Sequence, residues 1–214
     1  MKYEYEIQFF NEWHCGSGLA AGADLDALVI KDGQNLPFIP GKTIKGLVRE
    51  AVEDYYTFVE DYYTFNNTEI SELFIKYFGN SKDKDNRNPQ QIEDKFLNKK
   101  DDIGNNIDAI RFGSLFFSNA ELPDNERKEI IKQHAQDFMY TSIASTRIDE
   151  NGTASKTSLR KTEITIPCKL KFFIQSEEEI SKEFLEIINK SVGLIKRIGQ
   201  NRNRGLGRCQ IKNV

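Results

Sequence analysis

The chain has 214 residues, 38% of them hydrophobic and 29% charged, with a formal net charge of −3, which fits one polar globular domain carrying insertions, or at most two small domains. No run reaches the ~20 apolar residues of a bilayer span, and the N-terminus MKYEYEIQFF alternates charge with apolarity where a signal peptide would have an apolar core, so neither a membrane protein nor a secreted one is expected. Cys15, Cys168 and Cys209 are odd in number and far apart, which argues for a reducing cytoplasm and against a disulfide framework or a zinc site.

Residues 2–11 set Tyr3, Tyr5, Ile7 and Phe9 against Lys2, Glu4, Glu6 and Gln8, the pattern of a strand with one buried face. A turn-rich segment, Trp13-His14-Cys15-Gly16-Ser17-Gly18, leads into a Gly/Ala loop that ends in the acids Asp24 and Asp26. Two apart in an extended loop, their side chains point the same way. A carboxylate near a phosphate is repelled unless it orients a hydroxyl as a base or holds a divalent cation; a solvated loop aspartate is the plain alternative.

A short apolar strand and the Pro40-Gly41 turn then open a helix, predicted over about 42–65. Ile44, Leu47, Val48, Ala51, Val52 and Tyr55 form one face, and Lys42, Lys45 and Arg49 form a second stripe. Unpaired N–H groups at the helix start, together with that stripe, suit phosphate. The heptad VEDYYTF occurs at 52–58 and again at 59–65. Seven residues is nearly two turns, so the duplication reads as a lengthened helix whose aromatics are used for packing. A second helix is expected over about 69–78, ended by Gly79.

Residues 80–106 are polar and nearly free of core formers, and read as a mobile insertion. A strand-like run at 115–122 and a helix near 124–138 follow. Asn151-Gly152 between extended runs at 140–149 and 154–166 marks a hairpin whose arms carry Arg147, Arg160 and Lys161. Residues 168–175 alternate as a half-buried strand. Ser176 and Glu179 have capping-box spacing for a helix running to about Arg197, and a last strand is expected near 207–213. After Glu186 there is no acid to the end, while Lys190, Lys196, Arg197, Arg202, Arg204, Arg208 and Lys212 make a basic footprint for a polyanion. The loop at 199–208 has glycines at 199, 205 and 207 but no nucleotide-fold spacing. Such glycines let backbone approach an RNA strand, and the arginines supply phosphate contacts. Strand, helix, strands, helix, strand is the order of an α+β fold, ferredoxin-like or RRM-like, with an antiparallel sheet and the helices at 42–65 and 177–197 on one face.

Phe38-Ile39-Pro40-Gly41-Lys42-Thr43-Ile44-Lys45-Gly46 resembles the Pro-Gly-Ser-Ser-(Leu/Ile)-Lys-Gly signature of the RAMP superfamily, with a lysine at 42 where that family has a small hydroxylated residue. The segment 13–18 resembles the family's Leu-His-Ile-Gly-Ser-Gly, and Arg111-Phe112-Gly113-Ser114 its Leu-Phe-Gly-Ser. The hairpin is similar to its thumb, and 199–208 to its glycine-rich loop. More narrowly, the chain resembles the backbone subunit of type III CRISPR effector complexes.

That resemblance implies a single RAMP-type RNA-binding domain over 1–214, with an insertion at 80–106 and a thumb at 140–166. It implies guide CRISPR RNA held through His14, Lys42, Lys45, Arg49, Arg147, Arg160, Lys161, Arg202, Arg204 and Arg208, with Gly205 and Gly207 at the backbone. Asp26, ahead of Ala27-Leu28-Val29-Ile30, is the candidate for cleaving target RNA with Mg2+ or Mn2+, and Asp24 is the reserve. Implied partners are guide RNA, target RNA, other CRISPR effector subunits and copies of the chain itself, in the cytoplasm and away from any membrane. Two alternatives stay open: a structural RAMP subunit that cuts nothing, and a guide-processing endoribonuclease using His14 as acid or base.

Overall fold

The computed structural model describes residues 1–20, 25–63, 68–79, 113–155 and 158–214. In chain order these form β1 (Lys2–Phe9), α1 (Gly41–Tyr63), α2 (Thr68–Phe78), β2 (Phe116–Phe117), α3 (Asp124–Lys132), β3 (Tyr140–Ser145), β4 (Arg160–Thr165), β5 (Lys169–Gln175), α4 (Lys182–Val192) and β6 (Cys209–Asn213). The alternation in β1 does what its sequence predicts. Tyr5, Ile7 and Phe9 are buried, and Glu4, Glu6 and Gln8 point to the other face. β1 pairs antiparallel with β5 on one side and β6 on the other, and β2 lies outside β5, giving the order β2-β5-β1-β6. With α1 and α4 as the crossovers, this is the ferredoxin-like β-α-β-β-α-β arrangement within an α+β chain.

The inward residues of the sheet meet the apolar faces of the two helices. Tyr5 stacks on Phe172 at 5.2 Å between centroids, and its hydroxyl donates to Asn189 Oδ1 on α4 at 2.9 Å. Ile44, Val48 and Val52 of α1 and Phe184, Ile188 and Val192 of α4 are almost completely buried in the same core. Tyr77 of α2 joins it by stacking on Phe184 at 4.6 Å. Burying aromatics of this size supplies much of the core's stabilisation, at ~25 cal/mol per Å² of apolar surface. β3 and β4 form a separate two-stranded hairpin, rooted by isolated bridges Trp13↔Thr165 and Ala27↔Thr162.

Several sequence expectations are corrected here. α4 begins at Lys182, not 177: Ser181 is its N-cap, accepting from the Phe184 N–H at 3.3 Å. Ser176 is buried, its N–H donates to the Met1 carbonyl, and its own carbonyl receives the Met1 amine, so it closes β5 instead. The helix stops at Val192 before Gly193, because Lys196 and Ile198 exchange backbone hydrogen bonds with Cys209 and Gly207. The run at 115–122 keeps only two strand residues, since Ala120 turns away to pair with Ile39. The helix near 124–138 ends at Lys132, His134 takes a positive φ of 51°, and a 3-10 turn covers Gln136–Met139. The α1 backbone stays helical through Tyr63, while the insertion at 80–106, Arg111 and Phe112 lie outside the described residues.

Candidate nucleic-acid interface

Residues 25–31 lie between the 13–17 segment and the root of the hairpin, and hydrogen bonds tie them to both. Ser17 N–H donates to the Leu28 carbonyl at 2.9 Å and Ile30 N–H to that of Cys15 at 2.8 Å. On the hairpin side, Asp26 N–H donates to the Lys161 carbonyl at 2.8 Å, and Lys161 N–H donates back to Asp26 Oδ2 at 2.7 Å. Asp26 is therefore exposed yet not free: one carboxylate oxygen is fixed by β4. Asp24 lies outside the described residues. Arg160 and Lys161 stand exposed on the same strand, and Arg147 is exposed farther out on the hairpin.

Glu163, missed by sequence reasoning, braces this junction. Buried on β4, it accepts from the Val29 N–H at 3.0 Å and from Lys31 Nζ at 2.8 Å. Lys31 Nζ also sits 3.9 Å from the centre of the Tyr140 ring. Glu163, Ile164 and Thr165 are buried in succession, so β4 has no alternation from which a buried carboxylate could have been read.

His14 is fully buried. Its Nδ1 lies 2.6 Å from the Glu163 carbonyl, and its Nε2 has no hydrogen-bond partner. The resemblance puts this ring at an RNA strand; it lies beneath the surface, against the carbonyl of Glu163 on β4, while the His14 carbonyl meets the glycine-rich loop by accepting from the Gln200 N–H at 2.9 Å. Two glycines of that loop are there for the chain's own contacts. A Cβ on Gly199, at φ +100°, would come 2.3 Å from the His14 carbonyl oxygen, and one on Gly207, at φ +72°, would come 1.9 Å from that of Ile198. Gly207 thus meets backbone of this chain, while Gly205 borders open space. Arg202 and Arg204 project from a 3-10 turn at the exposed tip, and Arg208 stands over Phe10 at 5.9 Å.

The stripe on α1 divides. Lys42 is exposed on the wall of an open groove of about 1000 Å³. Lys45 is half-buried with Nζ 3.3 Å from the Leu115 carbonyl; burial, and then the neighbouring Arg49, push its pKa below the usual lysine value. Arg49 pairs with Glu53 at 3.1 Å and reaches the Gly79 carbonyl at 3.3 Å. Two of the three cations read as phosphate ligands therefore hold α1 to its neighbours. The helix start is also partly satisfied, since Gly41 N–H donates to Asn119 Oδ1 at 3.0 Å.

The expected divalent cation finds no protein-built cage here: among the described residues no three His, Cys, Asp or Glu side chains gather. Asp26 offers one oxygen beside the one that β4 holds, enough only for a Mg2+ or Mn2+ that takes its other ligands from RNA phosphates and water. The three cysteines are free, and no described helix is long and apolar enough to cross a membrane.

Comparison with known proteins matches residues 6–210 to the RAMP superfamily. Over 107 residues the chain is 31% identical to the CRISPR system Cms endoribonuclease Csm3 of Streptococcus thermophilus, a match covering 48% of this chain and 47% of that protein, so it spans about half the length of that relative. Two solved structures share the fold. A chain of a type III-B Cmr-beta complex bound to cognate target RNA superposes with TM-score 0.58 at 13% identity, covering 100% of this chain and 97% of that one. A chain of the same type of complex in its apo state gives 0.61 at 12% identity, with the same coverage.

Proposed function

The chain belongs to the RAMP superfamily, and from that premise we propose that it is an RNA-binding subunit of a type III CRISPR interference complex, holding guide RNA and cleaving complementary target RNA at Asp26. The observation that carries the reading is the exposed Asp26 carboxylate, aimed by the Lys161 N–H at 2.7 Å, at the foot of a hairpin bearing Arg160 and Lys161. Those cations hold RNA backbone beside the carboxylate. With Oδ2 committed to β4, the other oxygen takes the proton of a ribose 2′-hydroxyl as that oxygen attacks the adjacent phosphate. The 5′-oxygen leaves and takes its proton from water, and the products are a 2′,3′-cyclic phosphate and a 5′-hydroxyl end. A divalent cation, when bound, would neutralise charge on the phosphate. Arg202 and Arg204 at the glycine-loop tip and Lys42 on the groove are the exposed cations for the guide strand.

The test is cleavage of complementary RNA by the assembled complex, with Mg2+ and with chelator. Asp26→Ala and Asp26→Asn should each lose about a hundredfold or more in rate with guide binding intact, while Asp24→Ala keeps most activity. Full cleavage by both Asp26 variants sinks the catalytic assignment. One observation favours a second reading, a structural subunit that cuts nothing: among the described residues no three His, Cys, Asp or Glu side chains gather to hold the cation that cleavage would use. The guide-processing alternative asks for His14 as acid or base, and that ring is enclosed.

A further inference from the structure

The helices cover one face of the sheet and leave the other open, and this open face has a composition that packing within the chain does not explain. Phe116 on β2 is 58% exposed, and Phe173 on β5 lies beside it with ring centroids 6.0 Å apart and planes tilted by 44°. At the far end of β1, Phe10 is 53% exposed under the Arg208 guanidinium. Between these aromatic corners the outward positions are Lys169 and Lys171 of β5, Lys212 of β6, and Glu4 and Glu6 of β1. Both acids are already paired, Glu4 with Lys2 at 2.9 Å and Glu6 with Lys169 at 3.3 Å. Among the described residues no carboxylate lies within salt-bridge distance of Lys171, Lys212 or Arg208. Glu6 does stand opposite both Lys171 and Lys212 in the ladders. With Lys2, Lys169, Lys171 and Lys212 against Glu4 and Glu6, the face still carries an excess of positive charge framed by exposed rings. The groove of about 1000 Å³ that Lys42 overlooks runs onto the same face, with Phe116, Phe173 and Lys171 in its lining and the acids Glu4, Glu121 and Asp124 along its walls.

We infer that this open sheet face is a second RNA surface, on which bases of a single-stranded segment stack on Phe116 and Phe173 while Lys171 and Lys212 hold its phosphates. The inference rests on the RNA-binding reading above but uses none of its residues except Lys42 at the groove's edge. Stacking on a ring takes any base, because every base has a π face, so this surface grips without reading sequence. A sheet presenting aromatics with flanking cations is a recurrent way of holding unpaired bases. In the chain without RNA, Lys2 Nζ lies 4.3 Å from the centre of the Phe173 ring; an incoming base displaces it towards the base's own phosphate. A protein partner would fit the apolar corners, but the surplus of lysines between them is matched by the phosphates of an RNA backbone.

The experiment uses the full chain and a ten-residue oligouridine carrying one 4-thiouridine, with binding followed by anisotropy and crosslinks mapped by mass spectrometry. Crosslinks to the peptides holding Phe116 or Phe173 are expected. Phe116→Ala with Phe173→Ala should weaken binding ~10-fold or more without changing the salt slope. Phe116→Tyr with Phe173→Tyr should restore it, and Lys171→Gln with Lys212→Gln should lower the slope. Phe116→Ala alone, at an exposed edge position, guards against failure to fold and should still show a loss. Unchanged affinity in both alanine variants, with crosslinks only elsewhere, overturns the inference. If Arg202→Ala with Arg204→Ala still weakens binding in that case, the RNA-binding reading survives it. No binding of RNA by the unaltered chain overturns both. Loss of self-association in the alanine variants at unchanged RNA affinity makes the face a protein contact and also overturns the inference.

Discussion

Glu163 and Asp32 show how single carboxylates hold the acidic loop and its surroundings in place. Glu163 satisfies the Val29 N–H and pairs with Lys31, so Glu163→Ala leaves a buried donor and a cation uncompensated. A loss of about 3 kcal/mol is expected, measured as a lower midpoint of urea unfolding; Glu163→Gln keeps an acceptor for Val29 and should lose less. Asp32 is subject to burial, which alone would raise its pKa. The N–H groups of Leu36 and Gln34 and the Arg127 guanidinium, 2.7 Å away, outweigh burial and hold it below the usual carboxylate value. A depressed folded-state pKa adds stability that is present above the unfolded value, roughly 3.9, and is lost as pH falls through the folded one. Stability should therefore drop on the acid side below about pH 4, and Asp32→Asn should show a shallower drop in acid titration of the unfolding midpoint. Equal acid profiles would remove Asp32 from the acid response.

The hairpin is the element with the least to lose from shortening. Its tip is organised locally: Asp149 Oδ1 accepts from the N–H groups of Asn151 and Thr153, both at 2.9 Å, and Gly152 takes φ +77°. The described residues of the distal part, 146–159, contribute nothing to the core, and Ile148 and Leu159 are 64% and 58% exposed. Deleting 149–153 should leave the thermal midpoint within about 2 °C and RNA binding intact, but abolish ordered multimers on long RNA in light scattering. Equal multimers would give the hairpin another purpose. The hairpin was legible because Asn-Gly is a local signal, and β1 because its alternation is local too. The start of α4 was not, since Ser176 and Glu179 have the right spacing but Met1, far off in sequence, already holds Ser176. The stripe on α1 was half legible: spacing puts Lys42, Lys45 and Arg49 on one side of the helix and Glu53 one turn from Arg49, but only the fold brings the Leu115 and Gly79 carbonyls to the latter two cations. The burial of His14 was not legible for the same reason, because its ring packs against the carbonyl of Glu163, far off in sequence.

For the whole molecule, the net charge of −3 conceals the basic surface formed by Arg202, Arg204, Arg208 and the open face of the sheet. RNA affinity should therefore fall steeply with salt, and Arg202→Ala with Arg204→Ala should flatten that fall for every RNA sequence alike; an unchanged slope would take the loop out of the RNA site. The sheet itself imposes a different condition. β1 is the first of the described strands in sequence and lies inside the sheet, yet both neighbours, β5 and β6, come from the last quarter of the chain. At about 5–20 residues per second on the ribosome, residues 2–9 wait on the order of 10 s or longer for their partners to be made. Throughout that time the apolar side chains Tyr5, Ile7 and Phe9 have no partner strand, so the same pairing that closes the finished sheet leaves β1 exposed to association with other chains during synthesis.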